Sequence, residues 1–205
     1  MGHLRADRGR GKPSGSGVSN PLNGLRIVAG RHRGRRLVAP PGLDTRPTTN
    51  RAREALLNML EHGVPPLRGS RFLDLFAGTG AVGLEALSRG AELALMVERA
   101  RPALAAIRTN VAALGEGARS RVLEADATGL GPAPHPFDIA FLDAPYRAGL
   151  TRSALERLVA GGWLAPGARV ACEVAADETL EPPPGLTVED ERRHGAARLV
   201  LLRAP

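Results

Sequence analysis

The sequence predicts an α/β fold: a mostly parallel sheet covered on both faces, closed by a C-terminal antiparallel hairpin and preceded by a basic N-terminal β-hairpin and helix. Three observations carry this. From Arg71 onward, short apolar runs alternate with helix-patterned segments, as parallel strands and their crossover helices do. The first run, RFLDLF, passes straight into Gly78, Gly80 and Gly83 and then into a helical stretch. That order reads as strand, tight turn and helix start, with free helix N–H groups facing a crevice. Near the end, two apolar runs at 186–189 and 197–202 lie close together, as hairpin strands do.

In chain order, residues 1–23 are rich in Gly, Ser, Arg and Pro with little to bury, and are expected to be a disordered basic tail. Residues 24–66 read as an RNA-binding extension. In it, short strands at 25–29 and 35–39 flank Gly30-Arg31-His32-Arg33-Gly34, a hairpin tip suited to gripping phosphates. A helix over 51–62, capped by Thr49 or Asn50, aligns Ala52, Ala55, Leu56, Met59 and Leu60 on one face. Arg46, Thr48 and Arg53 point toward substrate or cofactor unless that helix is simply amphipathic. Residues 67–205 form the main domain, with a helix to 89, a strand at 93–97 and a helix from 102 that Gly115 stops. Strands follow at 121–123, 137–142 and 169–174, with a helix at 151–160.

The 205 residues suit one such domain with an appendage. No apolar run reaches the roughly 20 residues that cross a bilayer, and no signal region opens the chain, so cytoplasm is the plain expectation. Charge is uneven. Residues 1–53 hold 12 basic and two acidic side chains, a net of +10, whereas the remainder holds 16 and 19, a net of −3. A basic arm on a near-neutral domain points to a polyanion, with nucleic acid the default. The single cysteine, Cys172, sits in an apolar run, excludes an internal disulfide and has no partner suggesting a nucleophile. No His, Cys or Asp cluster has metal spacing.

Two constellations carry chemistry. The glycine turn alone is a weak signal, but Glu98 ends the next apolar run about 20 residues after Gly78, where an acid holds ribose hydroxyls. Asp74, inside the strand before the turn, would repel a pyrophosphate and attract an ammonium group. Together they favour S-adenosylmethionine over NAD. Asp126, at a later strand end, is placed to accept an adenine amino group. The second constellation is Asp143-Ala144-Pro145-Tyr146, at the carboxyl end of strand 137–142. The Asp143 carboxylate and Ala144 carbonyl can accept the hydrogens of an exocyclic base amine and favour its attack on a sulfonium methyl. Tyr146 can stack on the base, and Pro145 holds Ala144 extended.

From about Leu25 to its end the chain resembles the bacterial small-subunit ribosomal RNA guanine-N2 methyltransferases, the RsmD-like group. The residues that carry the resemblance are LRIVAGRHRGRRL, RPTTNRAREALLNML, LDLFAGTGAVGLEALSRGA, Glu98, the Asn110 region, FLDAPYRAGL and GWLAPGARVACEV. The resemblance implies a class I Rossmann-like methyltransferase that modifies the N2 of one guanine in 16S ribosomal RNA. Because a chain this small has little surface for reading a long RNA, a partly assembled small subunit is the expected substrate, and a monomer is the plain expectation. The family's cofactor motif falls on Asp74, Phe76, Ala77, Gly78 and Gly80, with Glu98 on the ribose and Asp126 near the adenine. Thr79 and Ala127, within the same loops, complete the candidate cofactor contacts. The catalytic tetrapeptide falls on Asp143, Ala144, Pro145 and Tyr146. Candidate RNA contacts are Arg31, His32, Arg33, Arg35, Arg46 and Arg53. Two departures stand out. Ala144 replaces a usual proline, which keeps the carbonyl but frees φ, and His32 replaces a larger aromatic. A DNA amino-methyltransferase, a non-catalytic RNA-binding relative and an NAD enzyme remain as alternatives.

Overall fold

The computed structural model describes residues 24–40 and 50–205. The expected tail at 1–23, the candidate contacts Arg46 and Thr48, and Thr49 lie outside the described residues. In chain order the elements are α1 (Asn50–Glu61), β1 (Arg71–Leu75), α2 (Ala81–Ser88), β2 (Leu93–Glu98), α3 (Arg101–Leu114) and β3 (Ser120–Glu124). Then come β4 (Phe137–Leu142), α4 (Leu150–Ala160), β5 (Leu164–Ala175), β6 (Thr187–His194) and β7 (Ala197–Arg203). One seven-stranded sheet runs β3-β2-β1-β4-β5-β7-β6. Strands β1 to β5 pair in parallel, and β7 lies antiparallel between β5 and β6.

The strand order reverses beside β1. The chain steps outward to β2 and β3, then crosses back to lay β4 on the other side of β1. Loops leaving β1 and β4 therefore diverge and open a crevice at the carboxyl edge. Side-chain alternation builds a core on each face. Phe72, Met96, Ile139, Phe141 and Ala171 face one layer with α1, α2 and the hairpin residues Leu25, Ile27 and Leu37. Leu73, Leu75, Val97, Leu142 and Val170 face the other, against Leu155 and Leu158 of α4. Burying each Leu or Phe is worth about 1.5–3 kcal/mol, so these layers hold the sheet in place. Helix α2 is buried along its whole length. Gly83 lets it approach so closely, since a Cβ there would lie 2.9 Å from Met96 Cγ and 3.2 Å from Asp74 Oδ2.

Several elements differ from expectation for identifiable reasons. Strand β6 extends to His194 because its polar run Asp190-Glu191-Arg192-Arg193 pairs with β7. It is the sheet edge, so solvated side chains hide its periodicity. The expected N-terminal strand pair is reduced to one bridge, Arg26 to Arg36. Flanking bonds join Ile27 N–H to the Arg35 carbonyl (2.9 Å) and Leu37 N–H to that of Leu25 (3.0 Å). In α1 the buried face is Arg53, Leu56, Leu57 and Leu60, and Ala55, expected inside, is exposed.

That rotation corrects the reading of Arg53 as an RNA contact. The residue is 1% exposed. Its Nε donates to Glu85 at 2.8 Å, and one terminal nitrogen donates to the Arg26 carbonyl and to Asn50 Oδ1. A charge removed from water must be paired, and Glu85, fully buried in the middle of α2, supplies the partner. Glu85 also accepts the N–H groups of Val28 (3.1 Å) and Ala29 (3.2 Å) and pairs with Arg89 at 3.2 Å. One buried carboxylate thus ties the hairpin and α1 to the main sheet.

Candidate active site

A cavity of about 680 Å³ opens at the carboxyl ends of β1, β2, β4 and β5, where the strand order reverses. One wall is the glycine loop. Phe76 leaves β1 with φ 61, a left-handed conformation that costs a bulky residue energy and gathers at functional sites. The loop closes through Gly80 N–H to the Ala77 carbonyl at 2.7 Å, and Gly80, with φ 75, caps α2. Phe76, Ala77, Gly78 and Thr79 face the cavity. Gly80 does not. It stands behind the loop, where a Cβ would meet Met96 Sδ at 2.9 Å.

Asp74 lies beneath this loop, 1% exposed, and accepts the Gly83 N–H at 2.9 Å. Burial pushes its carboxyl up to about 7. The Gly83 N–H pulls the other way, and the negative charges of Asp143 and Glu98 add to the rise. Glu98, at the end of β2, is held by backbone amides. One oxygen accepts Gly78 N–H at 2.9 Å, and the other accepts Arg99 N–H and Ala100 N–H, each at 2.8 Å. A carboxylate has about four lone-pair positions, so an acceptor position remains beside Gly78. Ala100, Ala103, Ala125 and Ala127 give the adjoining wall an apolar surface.

Asp126, the expected adenine contact, is held by its own loop and by Arg99. Its carboxylate accepts the Thr128 N–H (2.9 Å) and hydroxyl (2.8 Å) and pairs with Arg99 at 2.7 Å. The two Thr128 donors, followed by Arg99, hold it below the ordinary carboxylate range despite slight burial. The cavity wall at that point is made by its neighbours Ala125 and Ala127.

Across the cavity stands the loop after β4. Asp143, Ala144, Pro145 and Tyr146 all border the space, with Ala144 3% exposed. The Tyr146 hydroxyl donates to Glu173 Oε1 at 2.9 Å, fixing the ring from the end of β5. Arg147 anchors the loop's far side through its N–H to Glu178 (3.1 Å) and its guanidinium to Asp177 (2.7 Å). Glu173 itself borders the cavity. Sequence reading passed over it inside the apolar run around Cys172, although a lone acid in a buried strand end is a signal. Cys172 is fully buried, and burial pushes its thiol up, consistent with packing alone.

The hairpin cations lie outside the cavity and divide into two groups. Arg31 and His32 pair with Glu116, which is 1% exposed, His32 at 2.6 Å. Burial opposes ionisation of Glu116, but bonds from Arg31, His32 and Arg119 outweigh it and hold the carboxyl below its ordinary value. Arg35 donates to the Ala113 carbonyl at 2.6 Å, at the end of α3. These contacts dock the tip on α3 and leave Arg33 and Arg36 exposed. From sequence, Glu85 reads as a surface acid of a helix-patterned stretch and Glu116 as a solvated loop acid just past the Gly115 stop. Asn110, 1% exposed, spans the hairpin and the glycine loop. It accepts Val38 N–H at 2.7 Å and donates to the carbonyls of Val38 and Thr79, each at 3.0 Å.

This sheet order, with its acid-bordered crevice at the reversal, is the Rossmann-like methyltransferase architecture. The solved structure of yhhF from Escherichia coli matches it with a TM-score of 0.78 at 34% identity, over 88% of this chain and 97% of that one. A solved Haemophilus influenzae methylase fold does so with a TM-score of 0.74 at 31% identity, over 88% and 98%. The chain belongs to the family described as Conserved hypothetical protein 95, matched over residues 25–203. Among its relatives, Ribosomal RNA small subunit methyltransferase D of Escherichia coli K12 is 38% identical over 174 residues, 84% of each chain. The protein of that name from Haemophilus influenzae is 32% identical over 180 residues, 86% of this chain and 92% of its own length.

Proposed function

We propose that the protein transfers a methyl group from S-adenosylmethionine to the exocyclic N2 of a guanine in small-subunit ribosomal RNA. The observation that carries this is a single cavity in which Asp74 and Glu98 face Asp143, Ala144 and Tyr146. The similarity to proteins named for small-subunit ribosomal RNA methylation supplies the substrate class.

The residues present fit the cofactor's chemistry. Asp74 offers a negative charge to its cationic amino acid end, the remaining acceptor position of Glu98 suits a ribose hydroxyl, and the alanine wall suits adenine. When bound, S-adenosylmethionine supplies an electrophilic methyl and leaves as a neutral thioether. The protein's own task is to prepare the amine. Its nitrogen lone pair is delocalised into the base, so Asp143 and the Ala144 carbonyl accept the two hydrogens and orient the nitrogen for attack. As the N–C bond forms the nitrogen becomes acidic and gives a proton to solvent, so Asp143 need not be a strong base. The acceptors gain strength as positive charge develops on nitrogen, which is where stabilisation raises rate. Ala144 keeps the carbonyl that a proline would present. The exposed Arg33 and Arg36 of the docked hairpin supply phosphate contacts.

The test is methyl transfer from labelled S-adenosylmethionine to small-subunit particles from cells lacking the endogenous activity, followed by nucleoside analysis. Label in N2-methylguanosine is expected. Label in another nucleoside, or none while the cofactor binds, refutes the reading. Asp143→Ala is expected to abolish transfer and leave RNA binding intact; unchanged turnover removes Asp143 from this role.

A further inference from the structure

We propose that Glu173 reads the Watson–Crick edge of the target base by accepting the N1–H of guanine, and so sets which base amine is methylated. The inference rests on the methyl-transfer reading of the same cavity. It begins from strand register. In the parallel pair of β4 and β5, Phe141 lies opposite Ala171 and Leu142 opposite Cys172. The next positions outward are Asp143 and Glu173, on neighbouring strands about 4.8 Å apart. Strand alternation sets Glu173 on the face of Ala171, and both acids border the cavity. The polypeptide thus presents two carboxylates side by side where a base amine must enter.

Glu173 is half-buried, and its Oε1 accepts the Tyr146 hydroxyl at 2.9 Å. That bond fixes the carboxylate in line with the aromatic ring proposed to stack on the base. A carboxylate has about four acceptor positions, so Glu173 can also accept from a ligand.

Base chemistry supplies the remaining step. Guanine presents two adjacent donor groups, N1–H and N2–H₂. Adenine and cytosine each place a bare ring-nitrogen acceptor beside their amine. With Asp143 taking the amine, the neighbouring carboxylate meets a donor only in guanine. In the other two bases it meets a lone pair, which leaves two acceptors facing each other in a partly desolvated site. A site built to bond a given donor rejects analogues lacking it by large factors. The pair Asp143 and Glu173 therefore selects a guanine amine over those of adenine and cytosine.

The test replaces the target guanine with 2-aminopurine, which keeps the N2 amine but has no N1–H. Small-subunit particles reconstituted with either base are methylated under single-turnover conditions by the native protein and by Glu173→Gln. The native protein is expected to favour guanine by on the order of 10²-fold or more. In Glu173→Gln a side-chain amide can donate to the bare N1, so the guanine rate falls and the preference shrinks toward unity or reverses. Cofactor affinity should stay within about twofold, since the cofactor-side groups Asp74 and Glu98 are untouched.

Tyr146→Phe separates reading from mere support of the tyrosine. It removes the hydroxyl bond, yet the base preference should survive while the rate falls. Equal rates on the two bases with native protein overturn the inference, and this arm stands even if a variant fails to fold. A Glu173→Gln protein slowed equally on both bases, or a Tyr146→Phe protein that loses the preference, also overturns it. If native protein methylates guanine at N2 without discrimination, this inference fails and the proposed function stands. If native protein does not methylate guanine at all, both fail.

Discussion

Asp74→Asn separates what the buried acid costs the free protein from what it contributes to ligand binding. The carboxyl is 1% exposed and ionises at about 7 rather than at 3.8. At about 1.4 kcal/mol per pH unit, ionising it in place costs on the order of 4 kcal/mol relative to water. The direction with pH follows from proton counting. Between about 4 and 7 the unfolded chain has released this proton while the native state still holds it. The native state then binds more protons, so this group's contribution to stability falls as pH rises through that window and is level above about 7. Asparagine keeps an oxygen for the Gly83 N–H but carries no charge. The variant should therefore match the native protein near pH 4 and exceed it at pH 8, by about 1–3 kcal/mol once local relaxation reduces the full penalty. At about 2–4 °C per kcal/mol for a chain this size, thermal unfolding resolves the difference.

Binding should move the other way. A cationic ligand beside Asp74 favours the ionised carboxylate, so native affinity for S-adenosylmethionine should rise with pH through about 7, with proton release on binding. Asp74→Asn should bind on the order of 10–100-fold more weakly at pH 8 and lose that pH dependence. Calorimetry in two buffers of different ionisation enthalpy measures both. A variant less stable than native protein at pH 8, or one whose affinity keeps the native pH profile, would refute the reasoning.

The other predictions concern the docked hairpin. Glu85→Ala leaves the buried Arg53 without its acid partner and should cost about 3–5 kcal/mol in chemical denaturation; a loss below 1 kcal/mol would show the pair to be dispensable. Arg33→Ala with Arg36→Ala should weaken RNA binding and reduce the salt slope by about 0.7–0.9 per lost phosphate contact, whereas an unaltered slope would return both to solvent. Arg31→Ala should lower stability more than either, because it removes a donor from the buried Glu116. Asn110→Ala should leave the Val38 N–H and the Thr79 carbonyl short of a partner, cost about 1–3 kcal/mol and raise the cofactor dissociation constant. An unchanged constant would show that the loop keeps its shape without it.

Legibility from sequence followed a physical line. Strands β1, β2 and β4 were readable because interior parallel strands must be apolar on both faces, leaving Leu and Val runs no other explanation. The α3 boundary was readable because Pro102 and Gly115 act locally, and Gly115 takes φ 70 as the C-cap. Of the edge strand β6 only the start, at 187–189, was legible; its continuation to His194 was not, since one side faces water and its charges carry no period. The same limit hid Glu85, Glu116 and the burial of Arg53. Each is a charged residue with at least one partner 32 or more positions away, and nothing in a local window distinguishes a paired buried charge from a solvated one. Asp74 and Glu98 were legible for the opposite reason. Asp74 lies in the strand four residues before Gly78 and Glu98 ends the next apolar run 20 residues after it, so spacing from the glycine turn places both carboxylates.

Glu85 joins these two kinds of information. It falls at the end of the segment that builds the glycine loop, two residues after Gly83, yet its bonds run to Val28, Ala29 and Arg53 of the extension. Asn110 makes a parallel link from Val38 to Thr79. The hairpin and the loop that borders the cavity are thus held by two buried polar side chains on adjacent helices, α2 and α3. A force that displaces the hairpin must break hydrogen bonds to groups that have no water to replace them, at about 1–3 kcal/mol each. RNA gripped by Arg33 and Arg36 would therefore meet a hairpin already fixed relative to Asp74 and Asp143. Positional precision of this kind is what methyl transfer to a weak nucleophile needs, because small misplacement of the amine costs rate steeply.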